Sequence, residues 1–306
     1  MRDVIIIGSG PAGYTAGIYT ARAGLKPLLI ASSVEAGGEL MKTTEVENYP
    51  GFPEGAMGPD LMANFQAQAE KFGTEILLDD VIEVDLKGDV KIVKTALGET
   101  FEAKTVILAT GAAYRELGLP REKELSGHGV SWCATCDGFF FREKAIAVVG
   151  GGDSAMEEAN FLTRFASKVY LIHRRDSFKA SKIMQDRALN NPKIEVIWNS
   201  EVAEILGEGA VSGVTLRNTV DGSTSDLAIE GLFIAIGNDP RVWLVENQLE
   251  LTPEKFIQVE GRSSRTSLPG VFAAGDVIDP TYRQAITAAG SGCVAALDAE
   301  HYLNDH

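Results

Sequence analysis

Residues 129–155 read GVSWCATCDGFFFREKAIAVVGGGDSA, and the organisation of the whole chain can be worked out from this stretch. Its apolar run Ala145–Val149 has the composition of a buried strand, and the sequence GGGDSA follows it at once, at residues 150–155. A strand that leads through a glycine-rich turn into a helix opens a dinucleotide-binding unit. Because Cys133 and Cys136 lie just upstream, one piece of chain carries a nucleotide fingerprint and two thiols.

A second fingerprint opens the chain. The apolar run Val4–Ile7 is followed by GSGPAG at residues 8–13, then by a helical pattern and a strand over Pro27–Ala31. The first glycine makes the tight turn, the second lets the backbone approach a pyrophosphate, and the third permits close packing of helix on strand. The exposed helix N-terminus then binds the phosphate charge. Glu35 stands nearest the ribose position, where the alternative is a solvated loop acid.

The order of elements in the first half recurs in the second. Each half ends with an apolar strand that enters a glycine, at residues 105–111 and 231–237. This duplication predicts an α/β fold with two Rossmann-like, three-layer dinucleotide-binding domains and therefore two nucleotides. The segment after residue 240 is too short for a third domain. We therefore expect residues 1–112 and 241–306 to form one domain and residues 113–240 to be inserted in it.

The second fingerprint carries a signal for the type of nucleotide. His173, Arg174 and Arg175 end its second strand, and Lys179 lies close behind. An acid at this position binds the 2′-hydroxyl of NAD, whereas arginine matches the 2′-phosphate of NADP. The residues favour NADPH over the alternative of ordinary surface charges. The first site then needs a cofactor that takes hydride from NADPH and passes electrons to sulfur, and FAD does both.

The pair Cys133-Ala134-Thr135-Cys136 admits three readings. Redox catalysis is favoured, because the thiolate is the nucleophile in disulfide exchange. Half of a zinc site would need two more ligands, and no second paired motif supplies them. A structural disulfide is uncommon in a reducing compartment. Asp137 could move a proton as a thiolate forms or leaves, the alternative being a turn aspartate.

Composition excludes several classes of protein. The 306 residues carry a net charge of −15, with no basic block, which argues against nucleic acid or an anionic membrane as partner. No apolar run approaches the roughly 18 residues of a membrane span. The short apolar run after Arg2 is followed at once by glycines and a proline, unlike a secretion signal. We therefore expect a cytoplasmic protein.

With these motifs assembled, the chain resembles the low-molecular-weight thioredoxin reductases over nearly its whole length. The matching runs are GSGPAG at 8–13, TTEVENYPG at 43–51, CATCDG at 133–138, GGGDSA at 150–155, HRRD at 173–176, GD at 275–276 and YRQA at 282–285. The resemblance implies FAD on the split domain, NADPH on the inserted domain and a homodimer. It also implies that Cys136 faces the flavin, that Cys133 attacks the thioredoxin disulfide, and that Asp137 is the acid–base residue.

The candidate site residues follow from the motifs and from the resemblance. Those expected to contact FAD are Gly8, Ser9, Gly10, Pro11, Ala12, Gly13, Glu35, Gly38, Glu39, Leu40, Thr44, Asn48, Thr110, Gly111, Gly275, Asp276, Arg283, Gln284 and Ala285. Those expected to contact NADPH are Gly150, Gly152, Asp153, Ser154, Ala155, His173, Arg174, Arg175 and Lys179. No metal site is expected. Glu39 and Lys179 depart from the residues common in the family, and an extra acid at 39 is expected to shift the flavin potential.

The leading hypothesis is electron transfer from NADPH to FAD, then to the Cys133–Cys136 disulfide, then to thioredoxin or a thioredoxin-like protein. One alternative is a related flavoprotein that reduces ferredoxin or another protein disulfide. A non-catalytic nucleotide-binding sensor is a third. Full activity without the two thiols would favour the first alternative, and failure of NADPH to reduce bound flavin would favour the second.

Overall fold

The structure, a computed structural model, describes residues 1–43 and 45–306. It divides into two compact units, one formed by Met1–Ala113 with Asp239–His306 and the other by Tyr114–Asn238. Thr44, one of the predicted flavin contacts, lies outside the described residues. Among the residues described, none of the helices combines the length and apolar character needed to cross a bilayer.

The strands, in chain order, run as follows. The first nine are β1 (Arg2–Ile7), β2 (Leu28–Ala31), β3 (Glu45–Val46), β4 (Ala56–Met57), β5 (Glu75–Leu78), β6 (Val81–Asp85), β7 (Lys91–Thr95), β8 (Thr100–Leu108) and β9 (Ala112–Tyr114). The next eight are β10 (Val130–Ser131), β11 (Ala145–Gly150), β12 (Lys168–Ile172), β13 (Ile194–Ile197), β14 (Ser200–Leu206), β15 (Gly213–Asn218), β16 (Thr224–Leu227) and β17 (Gly231–Ala235). Then follow β18 (Asn238–Pro240) and β19 (Val271–Ala273).

The helices lie mostly between strands, as a doubly wound fold requires. They are α1 (Pro11–Arg22), α2 (Gly58–Lys71), α3 (Ala134–Asp137), α4 (Asp153–Leu162), α5 (Lys182–Leu189) and α6 (Ala285–Asp305). Proline occupies the first turn of α1 and of α2, where its missing N–H costs nothing. Short 3-10 turns cover Gly38–Lys42, Gly138–Phe141 and Gly275–Val277.

The sheet of the first unit has the order β5-β2-β1-β8-β7-β6, and β19 also pairs with β8. Strand β8 is shared: its first half pairs antiparallel with β7, and its second half pairs parallel with β1 and β19. Residues of β1 alternate between two cores, with Ile5 and Ile7 on one face and Val4 and Ile6 on the other. A strand buried on both faces is a near-continuous apolar run, which is why β1 could be read from sequence.

The second unit is built on a fully parallel sheet of order β10-β17-β11-β12-β13. Helix α4 packs on one face, where Ile146 and Val148 share a core with Met156. The antiparallel meander β14-β15-β16 covers the other face, where Val149 shares a core with Val202 and Val214. The predicted α/β class with Rossmann-like layers is confirmed. Helix α5 and strand β13 were not predicted, because α5 is short with partly exposed apolar residues and β13 has only four residues.

The chain passes between the units twice, and both crossing segments are short strands. Strand β9 leads into the second unit and β18 leads out of it, and the two pair with each other. The unit boundaries follow residues 113 and 238, within two residues of the predicted domain limits.

Candidate active site

The first fingerprint lies in the turn between β1 and α1, and its three glycines have different surroundings. A Cβ on Gly8, whose φ is +111°, would lie 2.2 Å from the carbonyl oxygen of Ala109. A Cβ on Gly13 would lie 1.9 Å from the carbonyl oxygen of Gly8. A Cβ on Gly10 would meet nothing within 4 Å. Packing therefore requires the outer two glycines, while the middle one leaves open space at the N-terminus of α1 that fits a dinucleotide phosphate.

The second fingerprint, between β11 and α4, repeats this design. A Cβ on Gly150 would lie 2.4 Å from the carbonyl oxygen of Ala235, and a Cβ on Gly152 would meet nothing within 4 Å. Ala155, fully buried, stands where the first unit has its third glycine. Ser154 is exposed at the first turn of α4. The residues present thus fit two dinucleotides, one in each unit.

Ser9, a residue of the first fingerprint, forms a hydrogen bond with the loop that follows β2. The buried Ser9 hydroxyl accepts a hydrogen bond from the backbone N–H of Gly37 at 2.9 Å. A Cβ on Gly38 would lie 3.3 Å from the Cα of Gly10, so the loop backbone borders the open space. Glu35, the predicted ribose acid, is exposed and forms an ion pair with Lys42 at 2.9 Å.

Glu39 is neutralised by a cation that sequence reasoning did not assign to the site. Its Oε1 lies 2.6 Å from the guanidinium of Arg241 and 3.8 Å from the amine of Lys42. Arg241 is held through its backbone, since its N–H donates to Gly111 and its carbonyl accepts from the hydroxyl of Thr110 at 2.8 Å. The extra acid noted in the sequence therefore comes with its own counter-charge.

Asp276 is the most strongly perturbed acid of the first unit. Burial, and next the negative charge of Asp279, raise its pKa to about 6, against the lowering effect of the Arg283 guanidinium. Asp279 also shapes the backbone, because its carboxylate accepts from the N–H groups of Thr281 and Tyr282 at 2.8 Å and of Arg283 at 3.0 Å. Arg283 is thereby held at φ +50°, a conformation that side-chain-bearing residues seldom adopt.

Residues far apart in sequence meet at the start of α6. The amide of Asn48 donates to the side-chain oxygen of Gln284 at 3.2 Å. Gln284 in turn forms a capping box with Thr287, so that α6 begins cleanly at Ala285. Gly275 donates its N–H to Ser291 at 2.8 Å, which ties the predicted glycine-aspartate turn to the same helix.

The redox pair of the second unit is a closed disulfide. Cys133 and Cys136 are bonded, with their Cα atoms 5.3 Å apart across the single turn of α3. The Cys133 sulfur also accepts from the backbone N–H of Cys136 at 3.2 Å. Cys136 is exposed and Cys133 is half-buried, so the redox turn lies partly at the protein surface.

Asp137 is partly buried, and burial raises its pKa. The hydroxyl of Ser131 opposes that effect by hydrogen-bonding the carboxyl. Ser131 is itself buried, and its oxygen accepts from the backbone N–H of Cys133 at 3.1 Å. Ser131 therefore links the acid to the redox turn. The sequence signal that could have found it is a hydroxyl two residues before the first cysteine.

The three cations expected at the 2′-phosphate lie on one segment, residues 173–181, which we call the phosphate arm. Arg174, Arg175 and Lys179 are exposed and form no ion pair within the described residues 1–43 and 45–306. His173 is buried, with only 9% of its surface exposed, so it does not share their position. The arm presents a group of free positive charges at the carboxyl end of β12.

Substitution of Gly10 tests its role in phosphate binding separately from any role in folding. For FAD, the nucleotide expected here from the sequence, Gly10→Ala should raise the dissociation constant at least about tenfold, because its Cβ would fill the space left for the pyrophosphate. The melting temperature of the flavin-free protein should stay within about 2 °C, since that Cβ meets no protein atom. Gly8→Ala is the matched control and should unfold the first unit. Unchanged flavin affinity in Gly10→Ala would contradict this placement.

The aromatic run after the redox turn divides into two environments. Phe141 is buried against Phe233, with the ring centroids 5.1 Å apart. Phe139 and Phe140 are 48% and 37% exposed. The structure thus places one ring in the core and leaves two exposed, three and four residues after Cys136.

Comparison with known proteins agrees with this arrangement. Residues 2–292 match the family described as pyridine nucleotide-disulphide oxidoreductase. A thioredoxin reductase of Streptomyces clavuligerus is 63% identical, over 99% of this chain and 94% of the relative. A bifunctional thioredoxin reductase/thioredoxin of Mycobacterium leprae is 56% identical, over 100% of this chain and 67% of the relative. The crystal structure of thioredoxin reductase from Streptococcus pyogenes superposes with a TM-score of 0.94 at 45% identity, over 100% and 99% of the two chains.

The match extends across both units and both fingerprints. It confirms the resemblance drawn from the motifs, and with it the use of a flavin and a pyridine nucleotide. The chain therefore belongs to the pyridine nucleotide-disulphide oxidoreductase family, where its similarity is to the low-molecular-weight thioredoxin reductases.

Proposed function

We propose that this chain is an NADPH-dependent thioredoxin-disulfide reductase. The observation that carries the proposal is the closed Cys133–Cys136 disulfide, set in the same unit as a dinucleotide fingerprint and its phosphate arm. A dithiol beside a nucleotide site serves electron transfer between a nicotinamide and sulfur. The two sulfurs, on an exposed and a half-buried cysteine, serve exchange with a protein disulfide.

FAD is assigned to the first unit and NADPH to the second. The first assignment is supported by the open space at Gly10 and by the residues that border it. The second is supported by the open space at Gly152 and by the arginines of the phosphate arm, whose planar groups match phosphate oxygens. Bound FAD would supply the chemistry that thiols lack, accepting hydride from NADPH and delivering an electron pair to a disulfide.

Exchange with the partner is carried out by the cysteines in two steps. The Cys133 thiolate attacks the partner disulfide, which forms a mixed disulfide and releases one partner thiolate. The Cys136 thiolate then attacks the Cys133 sulfur, which restores the Cys133–Cys136 bond and releases the partner as a dithiol. The reaction balances: the dithiol of this chain is oxidised and the partner disulfide is reduced.

Asp137 holds the proton for this exchange. Because burial raises its pKa, its carboxyl keeps a proton to a higher pH than an exposed aspartate does. It can give that proton to a thiolate formed when the Cys133–Cys136 bond is cleaved. Ser131 orients the acid relative to the redox turn.

Thioredoxin or a thioredoxin-like protein is the proposed partner, and the exposed rings of Phe139 and Phe140 offer it an apolar surface beside the disulfide. The net charge of −15 disfavours nucleic acid and anionic membranes. A homodimer and a cytoplasmic location complete the proposal. A catalytic cysteine pair is typical of proteins in a reducing compartment.

Anaerobic titration with NADPH tests the function. The flavin-loaded protein should lose its oxidised flavin absorbance on addition of NADPH and recover it on addition of oxidised thioredoxin. The double variant Cys133→Ser with Cys136→Ser should still bleach but fail to recover with thioredoxin. Full recovery in that variant would favour the rival flavoprotein that needs no dithiol, and absence of bleaching would favour a sensor.

Removal of two charges tests the nucleotide assignment. Arg174→Ala with Arg175→Ala is expected to raise the KM for NADPH about tenfold or more, since two charge-assisted contacts to the 2′-phosphate are lost. The KM for NADH, which lacks that phosphate, should change less than about twofold. The control is Arg187→Ala with Arg217→Ala, which removes the same charge from the same unit. Equal effects on both nucleotides would refute the 2′-phosphate assignment.

A further inference from the structure

The phosphate arm is fastened to the second fingerprint by its backbone. The carbonyl oxygen of Gly151 accepts from the N–H groups of Lys179 at 2.9 Å and of Ala180 at 3.1 Å. Gly151 is the middle residue of the three-glycine turn, so the arm rests directly on the fingerprint. Its position relative to the open space at Gly152 is therefore set by contacts within the protein.

The side chain of Asp153, a residue of the fingerprint, binds the C-terminal end of the phosphate arm. One carboxylate oxygen of Asp153, the first residue of α4, accepts from the backbone N–H of Ser181 at 2.7 Å and from its hydroxyl at 2.8 Å. Ser181 is also the residue that precedes α5. The same oxygen of Asp153 thus joins α4 to the start of α5, and the arm lies between them.

His173 lies at the N-terminal end of the phosphate arm. Its Nδ1 lies 2.9 Å from the carbonyl oxygen of Gly150, and its Nε2 lies 3.0 Å from the carbonyl oxygen of Ser177. Both ring nitrogens therefore face protein oxygens, and the ring is buried beside Phe178 and Trp198. A ring engaged in this way bridges the glycine turn to the arm and has no nitrogen left for a nucleotide.

We propose that Asp153 and His173 are positioning residues for the 2′-phosphate rather than contacts to the nucleotide, with Asp153 acting through Ser181. This inference rests on the proposed use of NADPH and deepens it. A carboxylate at the N-terminus of α4 would repel a pyrophosphate if it faced one, and its two bonds to Ser181 account for its presence there. Holding the arm in place before binding spares the nucleotide the entropic cost of ordering Arg174, Arg175 and Lys179.

Two ligands that differ only in the 2′-phosphate separate positioning from contact. Adenosine 2′,5′-bisphosphate and adenosine 5′-monophosphate are titrated by calorimetry into the flavin-loaded full-length protein. Asp153→Ala should raise the dissociation constant of the bisphosphate about fivefold and that of the monophosphate less than twofold, because only the arm is released. Asp153→Asn keeps an acceptor for Ser181 and should retain most of the bisphosphate affinity. Ser181→Ala, which keeps only the backbone donor, should lie between them.

A variant elsewhere in the same unit serves as the control for the loss of negative charge. Asp186→Asn in α5 removes the same negative charge and is expected to leave the ratio of the two dissociation constants unchanged. The matched kinetic readout is the KM for NADPH, which should rise in Asp153→Ala while kcat stays the same. Recovery of the KM in Asp153→Asn would support positioning by the hydrogen bonds.

Three results would overturn the proposal. Equal weakening of both ligands would show that Asp153 contacts the part they share or supports the whole unit. An Asp153→Asn protein as weak as Asp153→Ala would show that charge matters rather than the acceptor. Wild-type protein that binds both ligands equally would refute NADPH selectivity itself, and the positioning role with it; that failure is separable, because it appears before any variant is made.

Discussion

Cys133→Ser is expected to lower the rate of thioredoxin reduction at least about a thousandfold, because the variant lacks the nucleophile for the covalent step. Reduction of the bound flavin by NADPH should persist at a rate close to that of the wild type, since the hydride passes before either sulfur takes part. Stopped-flow absorbance follows both half-reactions in one preparation. The exchange step depends on one sulfur atom, and serine replaces that atom with little change in shape.

The control for this prediction is the third cysteine of the chain. Cys293 lies in α6 of the first unit and forms no disulfide. Cys293→Ser should therefore reduce thioredoxin as well as the wild type does. If Cys133→Ser retained thioredoxin reduction, the disulfide would not lie on the route of the electrons. Loss of flavin reduction in the same variant would mean that Cys133 is needed earlier than proposed.

Asp137→Asn is expected to lower the rate of thioredoxin reduction about a hundredfold, the usual contribution of a positioned proton donor. In the wild type the rate should fall as the pH rises through the raised pKa of Asp137, because the acid form is then lost. The amide has no proton to give, so the variant should lose this dependence. A variant with a wild-type rate, or with an unchanged pH profile, would remove Asp137 from the proton route.

The Asp137→Asn substitution should lower activity without lowering stability. The folded-state pKa of Asp137 is raised, so the folded protein binds the proton more tightly than the unfolded chain does. The wild type therefore loses stability as the pH rises from the ordinary carboxyl range through the raised pKa. Asp137→Asn carries no such charge, so at neutral pH its melting temperature should equal or exceed that of the wild type. A marked drop would indicate a structural role.

The helices and strands that could be predicted are those whose sequence pattern lies in consecutive residues. Strand β1 is buried on both faces and is therefore an unbroken apolar run, and the glycines after it have spacing that only a few turns require. The run after Arg283 likewise carries apolar residues at helical spacing, and α6 covers it from Ala285 to Asp305. Helix α5 is short and its apolar residues are partly exposed, so its sequence resembles a loop.

Side-chain partners were less predictable than elements. Glu39 was noted in the sequence as an extra acid near the flavin loop, but its partner Arg241, 2.6 Å away, lies 202 residues further along the chain. Asn48 and Gln284, both predicted to contact FAD, lie 236 residues apart in sequence and are hydrogen-bonded to each other. These pairs form because strands β8 and β19 bring distant segments of the chain together. No pattern of neighbouring residues predicts them.

The amino-acid sequence alone was enough to identify two dinucleotide fingerprints, a redox cysteine pair and an α/β fold, because each is written in short-range spacing and polarity. The roles of Asp153 and His173 emerged only from the folded chain. Asp153 bonds Ser181, 28 residues away, and His173 bonds Gly150, 23 residues away, so tertiary packing sets both partners. The residue type determines which hydrogen bonds a side chain can donate or accept, but its neighbours in the folded protein determine which of these bonds form.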